Sequence, residues 1–456
     1  MAPKTDSNFM DHARHTEVAE ILRQEKPCRP LQRMATSVPW AWLAAACVFS
    51  IAVKVAVLLL TQTWGSPRTW EYESIAVNLL NGRGYVSQYL DQPNRSAFQP
   101  FYPVFCALLY RLFGHHSEVV QLAQMLAGTL LCLVAYDLAR RLFSVRAGLW
   151  AAWLVALHPG LSYYSTANLH VLVFDALFFL SVVWAFVVID EGYRLKHFVA
   201  SGLALGFALL SRASVLAFMP VGLVWFWWRA FHRVGARKLL LGMCVMLSVA
   251  WLIVAPWLIR NHRLYGRPFY FLSTVGMNLW LGNNPHASGS ALSIEGEPII
   301  HMVSSEFLTP ISRLSETEQD DYLRREAITY MASHPWRTIQ LYGKKLLAFW
   351  WFSPQSGLWY PRSWLGLYQI WYVGLLLFVG MGLWAVLVRK EWGRVSIIPL
   401  FGFSIALCQS LFFVEGRHRW EVEALLVVVA ANGLSLVQGW ATERMRRLET
   451  RDTIIR

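Results

Sequence analysis

The chain has 456 residues, of which 56% are hydrophobic and only 15% are charged. Apolar runs of about 17 to 25 residues, long enough to cross a bilayer as a helix, recur along it and exclude an ordinary soluble domain. The net charge of +13 is attributed to cytoplasmic loops and lipid contacts, because no module of interleaved basic and aromatic residues indicates nucleic-acid binding.

Residues 1–38 are polar and mixed in charge, and are predicted to form a cytoplasmic arm of low order. The apolar run from about Trp40 to Thr61 follows this arm. It is too long and too far from the start for a cleaved signal peptide, so it is predicted to be a retained span.

Further apolar runs predict a bundle of transmembrane helices, some of them short. They lie near residues 119–138, 147–161, 171–189, 198–210, 215–228, 239–256, 364–388, 396–414 and 424–440. The fold class that follows is an all-α polytopic membrane protein with about 10 to 12 transmembrane helices.

Lys and Arg are concentrated in alternate short loops between these runs. The residues concerned are Arg140, Arg141, Arg146, Arg194, Lys196, Arg229, Arg233, Arg237, Lys238, Arg389, Lys390 and Arg394. Because such residues stay in the cytoplasm, both termini are predicted to be cytoplasmic, including a basic tail at residues 441–456. Residues 39–440 are then one transmembrane domain, expected in a bacterial inner or plasma membrane.

Two long segments, residues 62–118 and 257–363, are predicted to lie outside the membrane on the same, extracytoplasmic side. An interfacial helix is predicted at residues 71–81, because apolar and polar residues separate onto opposite faces and Gly82 is placed to end it. Residues 102–113 are also apolar but too short to span, so they are predicted to lie in the interface or to re-enter.

Several short motifs recur in a distinctive order along the chain. They are Glu71 with residues 75–79 and 82–85, then residues 99–103, 206–212, 256–261 with Gly266, 278–285 and 417–419. Together they resemble the polytopic glycosyltransferases of the GT-C fold that use polyprenyl-phosphate sugars, particularly the protein O-mannosyltransferase and aminoarabinose-transferase branch. The resemblance runs along most of the chain and implies the same fold.

The resemblance implies that Glu71, an acid in the first extracytoplasmic loop, is the general base. A polyprenyl phosphate is already a good leaving group, so the demanding step is deprotonation of the acceptor hydroxyl, worth roughly 10² to 10⁴ in rate. One carboxylate suffices, and a single displacement gives inversion. The alternative is an acid that favours a helix N-terminus by about 0.3 to 1 kcal/mol. Glu73 points elsewhere on the helix and is kept as a less favoured base or acceptor contact.

The donor's phosphate requires cations at the extracytoplasmic ends of spans, because Arg can bind phosphate oxygens through two hydrogen bonds. The resemblance implies phosphate contacts for Arg260, Arg417 and Arg419, and Arg212 is a further candidate. Each could instead be an interfacial cation whose head group reaches water. Asn261 and Tyr102 lie within the matching motifs and are candidate substrate contacts.

Four ionisable residues near or within apolar runs are also candidate substrate contacts. Lys54 lies inside the first span, where a cation is costly and suggests an inward-facing partner. Lys344 or its neighbour Lys345 could face the donor phosphate or be an interfacial lysine. Asp175 near the start of the run at 171–189 could contact substrate or pair with Lys54. Related enzymes often carry an acid here, and Asn168 and His170 stand where it is expected.

The expected ligands are a polyprenyl-phosphate sugar, an acceptor hydroxyl on protein, lipid or polysaccharide, and membrane lipids. The sugar stays open. Neither CxxC spacing nor an Asp-x-Asp pair indicates a metal site, so no cofactor is expected to be required. A divalent metal is not excluded. The alternatives are a secondary transporter or flippase for lipid-linked sugars, and a non-catalytic scaffold; a transporter predicts ionisable residues at the membrane midplane.

Overall fold

The structure is a computed structural model that describes residues 39–89, 92–268, 270–353, 355 and 362–455. The predicted arm at residues 1–38 lies outside the described residues. Helices make up most of the described chain, which confirms the all-α class. In chain order they are α1 Trp40–Thr61, α2 Glu71–Leu80, α3 Phe101–Phe113, α4 Ser117–Leu142, α5 Val145–Ala156, α6 Pro159–Ala167, α7 Leu172–Gly192, α8 Leu195–Ser211, α9 Met219–Val234, α10 Ala236–Tyr265, α11 Val275–Gly282, α12 Ser305–Ser312, α13 Glu316–Ser333, α14 Pro335–Trp350, α15 Arg362–Val388, α16 Trp392–Val395, α17 Ile397–Gln409 and α18 Trp420–Ile455.

Seven helical segments among the described residues are long and apolar enough to cross a membrane. They are Trp40–Thr61, Ser117–Leu142, Leu172–Gly192, Ala236–Tyr265, Arg362–Val388, Trp392–Gln409 and Gly416–Glu449. Three apolar helices are shorter: Phe101–Phe113, Val145–Ala156 and Leu195–Ser211. The protein is therefore an integral, multi-pass membrane protein, and the count of about 10 to 12 spans stays a prediction.

The run predicted at 147–161 is divided between two helices, α5 and α6. His158 separates them, and its Nδ1 accepts a hydrogen bond from the backbone N–H of Leu161 at 3.1 Å. Pro159 follows as the first residue of α6. Proline lacks the N–H that would continue the preceding helix, so the division is local in origin.

The central helix of the bundle is α7. In its apolar, membrane-length stretch 83% of the residues are buried, against 33% in α1. It packs against α4, α8 and α18. Its sequence is apolar on all sides, as expected for a helix enclosed by others. Close packing of α15 against α18 uses small residues: a Cβ on Gly382 would lie 2.1 Å from the Val429 carbonyl oxygen.

The predicted cytoplasmic loops converge at one end of the bundle. Arg141 and Arg394 both form ion pairs with Glu191, the latter at 2.8 Å. Arg229 and Arg233 pair with the neighbouring Asp190 at 2.8 and 3.2 Å. Residues from four loops that are distant in sequence therefore lie together, as alternating helices require. The assignment of this end to the cytoplasm stays a prediction.

The first long loop, residues 62–100, contains α2 and a two-stranded antiparallel hairpin, β1 Ser87–Tyr89 and β2 Gln92–Asn94. The helices predicted at 71–81 and 102–113 are present as α2 and α3. The second long segment is predicted to begin at residue 257, and α10 continues through Pro256 to Tyr265, so the first residues of that segment are helical. Helix α10 ends at Gly266, whose φ of +69° suits glycine and whose N–H donates to the His262 carbonyl at 2.8 Å.

Candidate active site

Glu71 is the first residue of α2, and its side chain is exposed. The residue before it, Trp70, is extended, so the chain turns into the helix at this point. The orphan N–H groups and the positive end of the helix dipole favour a negative charge here. Glu71 is therefore an accessible carboxylate at a helix N-terminus.

Two aromatic neighbours fix the surroundings of Glu71. Trp70 and Tyr72 each contact the His170 ring edge-on, at centroid distances of 5.8 and 5.5 Å. The Arg417 guanidinium lies 5.2 Å from the centre of the Trp70 ring. The two residues that flank Glu71 in sequence thus contact an imidazole and, through Trp70, a cation.

A buried ionic cluster lies beside Tyr72. The Nε of Arg212, at the end of α8, lies 2.9 Å from Glu421 Oε2 and 3.6 Å from Asp175 Oδ2. The hydroxyl of Ser211 donates to Asp175 Oδ1 at 2.5 Å. Asp175 and Glu421 each sit in the first turn of a helix, where the dipole favours their charge. We call Asp175, Arg212 and Glu421 the Arg212 cluster.

The titration of Tyr72 connects this cluster to Glu71. Burial raises the pKa of its phenol, the Asp175 carboxylate raises that pKa further, and the Arg212 and Arg417 guanidiniums oppose the rise. Tyr72 is therefore a neutral phenol at physiological pH and is not a candidate base.

His170 is the second group held neutral at this site. Burial lowers its pKa well below the usual value, and the Arg417 and Arg212 charges add to that effect. Its Nδ1 accepts a hydrogen bond from the Leu172 N–H at 3.2 Å. The neutral ring therefore carries its proton on Nε2 and can donate a hydrogen bond from that atom.

Arg417 lies on the short 3₁₀ turn Gly416–Arg419. Its guanidinium pairs with Glu415 at 2.8 Å, and its side chain is 16% exposed. His418 Nδ1 accepts from the Glu415 N–H at 3.2 Å, which closes the turn. Arg417 is the predicted phosphate contact that the structure brings nearest to the surroundings of Glu71, through Trp70.

Arg260 and Asn261 form a second polar group on the last turns of α10. The Arg260 guanidinium lies 5.4 and 4.8 Å from the centres of the Tyr85 and Trp257 rings. Its Nη1 donates to Asn261 Oδ1 at 2.7 Å. Asn261 is buried and donates to the Tyr270 carbonyl at 3.0 Å, so it links α10 to the second long loop.

Glu73 faces Tyr110 of α3, and Tyr102, which lies on α3, faces α4. Neither side chain is grouped with Glu71. Glu73 Oε1 accepts from the Tyr110 hydroxyl at 3.1 Å and lies 3.3 Å from His115 Nε2. The Tyr102 hydroxyl donates to Gln124 Oε1 at 2.5 Å, and its ring packs against Tyr72 at 5.4 Å. We call Trp70, Tyr72 and His170 the aromatic wall, and Tyr102 packs against it through Tyr72.

Lys54 does not pair with Asp175, and that suggested pairing is wrong. The Lys54 ammonium donates to Ser50 Oγ at 2.6 Å, and it faces Gly128 of α4, where a Cβ would lie 2.8 Å from Lys54 Cε. Asp175 instead faces Arg212. Lys54 lies on α1, which packs against α4, whereas Asp175 lies on α7 and faces the end of α8. The two side chains therefore have different neighbours.

The lysine pair of α14 is divided between solvent and core. Lys344 is exposed, whereas Lys345 is 1% exposed. The Lys345 ammonium donates to Asn283 Oδ1 at 3.0 Å and to the Gly282 carbonyl at 3.2 Å. It binds the C-terminal end of α11, where the helix dipole favours a cation.

Arg419 is fully buried, and protein groups engage each of its guanidinium nitrogens. Nε donates to Glu423 at 2.6 Å, Nη2 to the Tyr368 hydroxyl at 2.6 Å, and Nη1 to the carbonyls of Phe349 and Trp351 at 3.2 and 3.1 Å. Glu423 also lies 2.9 Å from His158 Nε2. We call Arg419, Glu423, Tyr368 and His158 the Arg419 cluster.

The sequence reasoning missed Glu421, Trp70 and the polar role of Tyr72. Glu421 and Glu423 follow the Arg417–Arg419 motif closely and begin an apolar helix. Acids in membrane helices are rarely without a role, and that rule would have identified both. No comparable signal exists for Trp70 in a chain with 23 tryptophans. Within the described residues, no three His, Cys, Asp or Glu side chains converge as metal ligands.

Comparison with protein families gives a match over residues 91–259 to the family described as dolichyl-phosphate-mannose-protein mannosyltransferase. The matched region is less than half of the chain. It includes Asp175 and Arg212 but ends before Arg260. A comparison with curated protein sequences gives no match.

Solved structures are similar over most of the chain. The apo oligosaccharyltransferase of Archaeoglobus fulgidus matches with a TM-score of 0.54 and 17% identity, over 90% of this chain and 52% of that chain. AglB of the same organism, in complex with an inhibitory peptide and a dolichol-phosphate, matches with a TM-score of 0.56 and 15% identity, over 91% and 52%. ArnT from Cupriavidus metallidurans, bound to undecaprenyl phosphate, matches with 15% identity over 88% and 78%, at a TM-score of 0.40 that is too low to carry a correspondence.

The chain therefore has the GT-C fold of polytopic membrane glycosyltransferases, as the motifs predict. It spans about half the length of the archaeal chains that it matches. At these identities the likeness is one of fold.

Proposed function

We propose that this membrane protein is an inverting glycosyltransferase that moves a monosaccharide from a polyprenyl-phosphate carrier to an acceptor hydroxyl on the extracytoplasmic side. The fold supports the reaction class, and so does the family match to dolichyl-phosphate-mannose-protein mannosyltransferases. AglB, which has the same fold, has been captured with a dolichol-phosphate. The acceptor, whether protein, lipid or polysaccharide, stays open, as does the sugar.

In this proposal Glu71 takes the proton of the acceptor hydroxyl as the acceptor oxygen bonds to the anomeric carbon. The bond between that carbon and the phosphate oxygen breaks, and polyprenyl phosphate leaves with the electron pair. The observation that carries the assignment is the exposed Glu71 carboxylate at the first position of α2, between Trp70 and Tyr72 in sequence; both of those rings contact His170, and Arg417 lies over the Trp70 ring. Asp175 is a weaker candidate because it is buried and already bound to Ser211 and Arg212.

Arg417 is proposed to bind the leaving phosphate. Its guanidinium is partly exposed, so its ion pair with Glu415 can be exchanged for a phosphate oxygen as negative charge grows on the phosphate. The His170 Nε2–H is a neutral donor on the same side. Arg260 is proposed as a second anion contact, held between two aromatic rings. The isoprenoid tail stays in the bilayer.

The test measures release of polyprenyl phosphate from a panel of radiolabelled polyprenyl-phosphate monosaccharides. Membranes carry the wild-type protein, Glu71→Gln, or the matched control Glu73→Gln, in a host that supplies native acceptors. We expect one donor to turn over, Glu71→Gln to lose about 10² to 10⁴ in rate, and Glu73→Gln to keep nearly all of it. Full activity of a folded Glu71→Gln would assign the base elsewhere. Movement of intact donor across the membrane without release would favour a flippase.

A further inference from the structure

The two long loops are joined by a seam of hydrogen bonds at residues 94–97. We infer that Glu316, in the second loop, is a positioning residue for the catalytic carboxylate, acting through this seam. The inference rests on the proposed function, because it assigns Glu316 a role in the geometry around Glu71. Glu316 and residues 95–96 are about 220 positions apart in sequence.

The Glu316 carboxylate binds two consecutive backbone N–H groups of the first loop. Oε1 accepts from Ser96 at 2.9 Å and Oε2 from Arg95 at 2.9 Å. Oε2 also accepts from the Tyr265 hydroxyl, at the end of α10, at 2.8 Å. Hydrogen bonds to an ionised acceptor are roughly twice as strong as neutral ones, so one side chain ties three elements together.

Other contacts hold the same segment from the opposite side. The Ser96 hydroxyl, which is buried, donates to Asn261 Oδ1 at 3.1 Å. The Ser273 N–H donates to the Ser96 carbonyl at 3.0 Å, and the Thr274 hydroxyl donates to the Ala97 carbonyl at 2.8 Å. The segment is therefore fixed in register against the second loop and α10, and Glu316 is the charged partner that binds its backbone.

The segment leads directly to the aromatic wall of the site. Phe98 follows it, and the Phe98 ring contacts the Tyr72 ring at a centroid distance of 5.1 Å. The Tyr85 hydroxyl donates to the Phe98 and Gln99 carbonyls at 3.0 and 3.1 Å. A shift of residues 95–98 would move Phe98, and with it Tyr72 and the adjoining first turn of α2 that carries Glu71.

The chemistry makes such a shift measurable. A displacement of about 1 Å in a reacting group can cost on the order of 10² in rate even when the altered residue is far from the reaction. Glu316 touches neither Arg417 nor His170, and Arg260, which donates to the Ser96 hydroxyl at 3.4 Å, keeps its shorter bond to Asn261 when Glu316 is changed, so donor binding is expected to change little. The signature of a positioning role is therefore a fall in kcat with a nearly constant KM for the donor.

The experiment compares Glu316→Ala, Glu316→Gln and Tyr265→Phe with the matched control Glu306→Gln, an exposed acid on α12. In the full-length protein we expect Glu316→Ala to lower kcat by about tenfold to a hundredfold. Glu316→Gln, which keeps only one acceptor oxygen, should lose less, and Tyr265→Phe less again. The donor KM should stay within about twofold. Hydrogen exchange at residues 93–99 and 71–76 should quicken in Glu316→Ala and stay unchanged in Glu306→Gln.

A second variant separates this inference from the proposed function. If Glu316 acts through Glu71, adding Glu316→Ala to Glu71→Gln should cause no further loss of the residual rate. An active Glu71→Gln would refute the proposed base whatever Glu316 does. An inactive Glu71→Gln together with an unchanged kcat in folded Glu316→Gln and Glu316→Ala would overturn the inference alone. So would a loss confined to donor KM, or full additivity in the double variant.

Discussion

The Arg212 cluster and the Arg419 cluster have similar components and opposite settings. Each pairs a guanidinium with a glutamate in the first turn of α18, Glu421 in one and Glu423 in the other. The Arg419 and Glu423 side chains are both 0% exposed, whereas that of Arg212 is 18% exposed and lies close enough to Tyr72 to affect its titration. The enclosed cluster joins helices, and the other one borders the candidate site.

The geometry of one helix turn explains how both clusters form. Residues two apart on an α-helix point to nearly opposite sides, so Glu421 and Glu423 meet different partners. Glu421 faces α7 and α8 through Asp175 and Arg212, whereas Glu423 faces α6 and α15 through His158 and Tyr368. The same sequence feature, an Arg near an acid at a span end, can therefore serve stability or chemistry, and burial distinguishes the two.

The largest expected effect is on stability, from Arg419→Met. Removing the guanidinium leaves Glu423 buried without its main partner and costs about 3 to 5 kcal/mol. The matched control is Arg447→Met on the same helix, since Arg447 pairs with Glu443 at the same spacing but in an exposed position. That change should cost at most about 0.5 kcal/mol. Thermal unfolding in detergent measures both, and equal midpoints for the two variants would remove the distinction drawn between the clusters.

A smaller effect, on turnover, is expected from Arg212→Gln. The two carboxylates lose their shared cation, one of them takes up a proton, and the wall beneath Tyr72 shifts, so kcat should fall by about tenfold to a hundredfold. The fold should survive, because Asp175 keeps the Ser211 hydroxyl. Size-exclusion behaviour and donor release are measured on the same preparation. Loss of folding comparable to Arg419→Met, or unchanged kcat, would show that the cluster is as purely structural as the other.

The smallest effect is expected from Arg417→Gln. Loss of one charge-assisted contact to phosphate should raise the donor KM by about tenfold, which corresponds to about 1.4 kcal/mol. The midpoint of thermal unfolding should change little, because Arg417 lies on a short turn at the edge of the site. Glu415→Gln is the paired variant: it frees Arg417 from its carboxylate partner and should leave the KM unchanged or lower it. An unaltered KM in Arg417→Gln would exclude this residue as the phosphate contact.

The helices were largely predictable because their signal is local. An apolar run of membrane length and a glycine or proline at its end depend only on neighbouring residues. Every predicted run is mostly helical in the structure, although the run at 147–161 is divided and the run at 396–414 extends beyond its helix, which ends at Gln409. Glu71 could also be selected locally, as an acid opening an amphipathic helix next to a motif that resembles those of known glycosyltransferases. The division of the run at His158 and Pro159 is local in origin but was not predicted, and neither was the continuation of α10 through Pro256.

The partners of the candidate residues were not predictable in the same way. Arg212 and Glu421 lie 209 residues apart, and nothing in the sequence near either one indicates the other. Arg419 and Arg417 stand in one motif and received the same interpretation from the sequence, yet one is enclosed by Glu423 and Tyr368 and the other borders Trp70. Burial is a property of the assembled helices, so a local pattern cannot assign it.

The sequence by itself determined that the chain is a helical membrane protein, which segments are apolar, and at which segment ends the charged residues lie. Bilayer thickness and helix periodicity constrain each segment separately, so these features can be predicted locally. Only the tertiary structure decided which charges neutralise one another, which arginine stays accessible, and that Glu316 reaches the loop behind Tyr72. Ionic pairing and positioning depend on distances of about 3 Å between residues far apart in the chain. Those distances exist only once the bundle has packed.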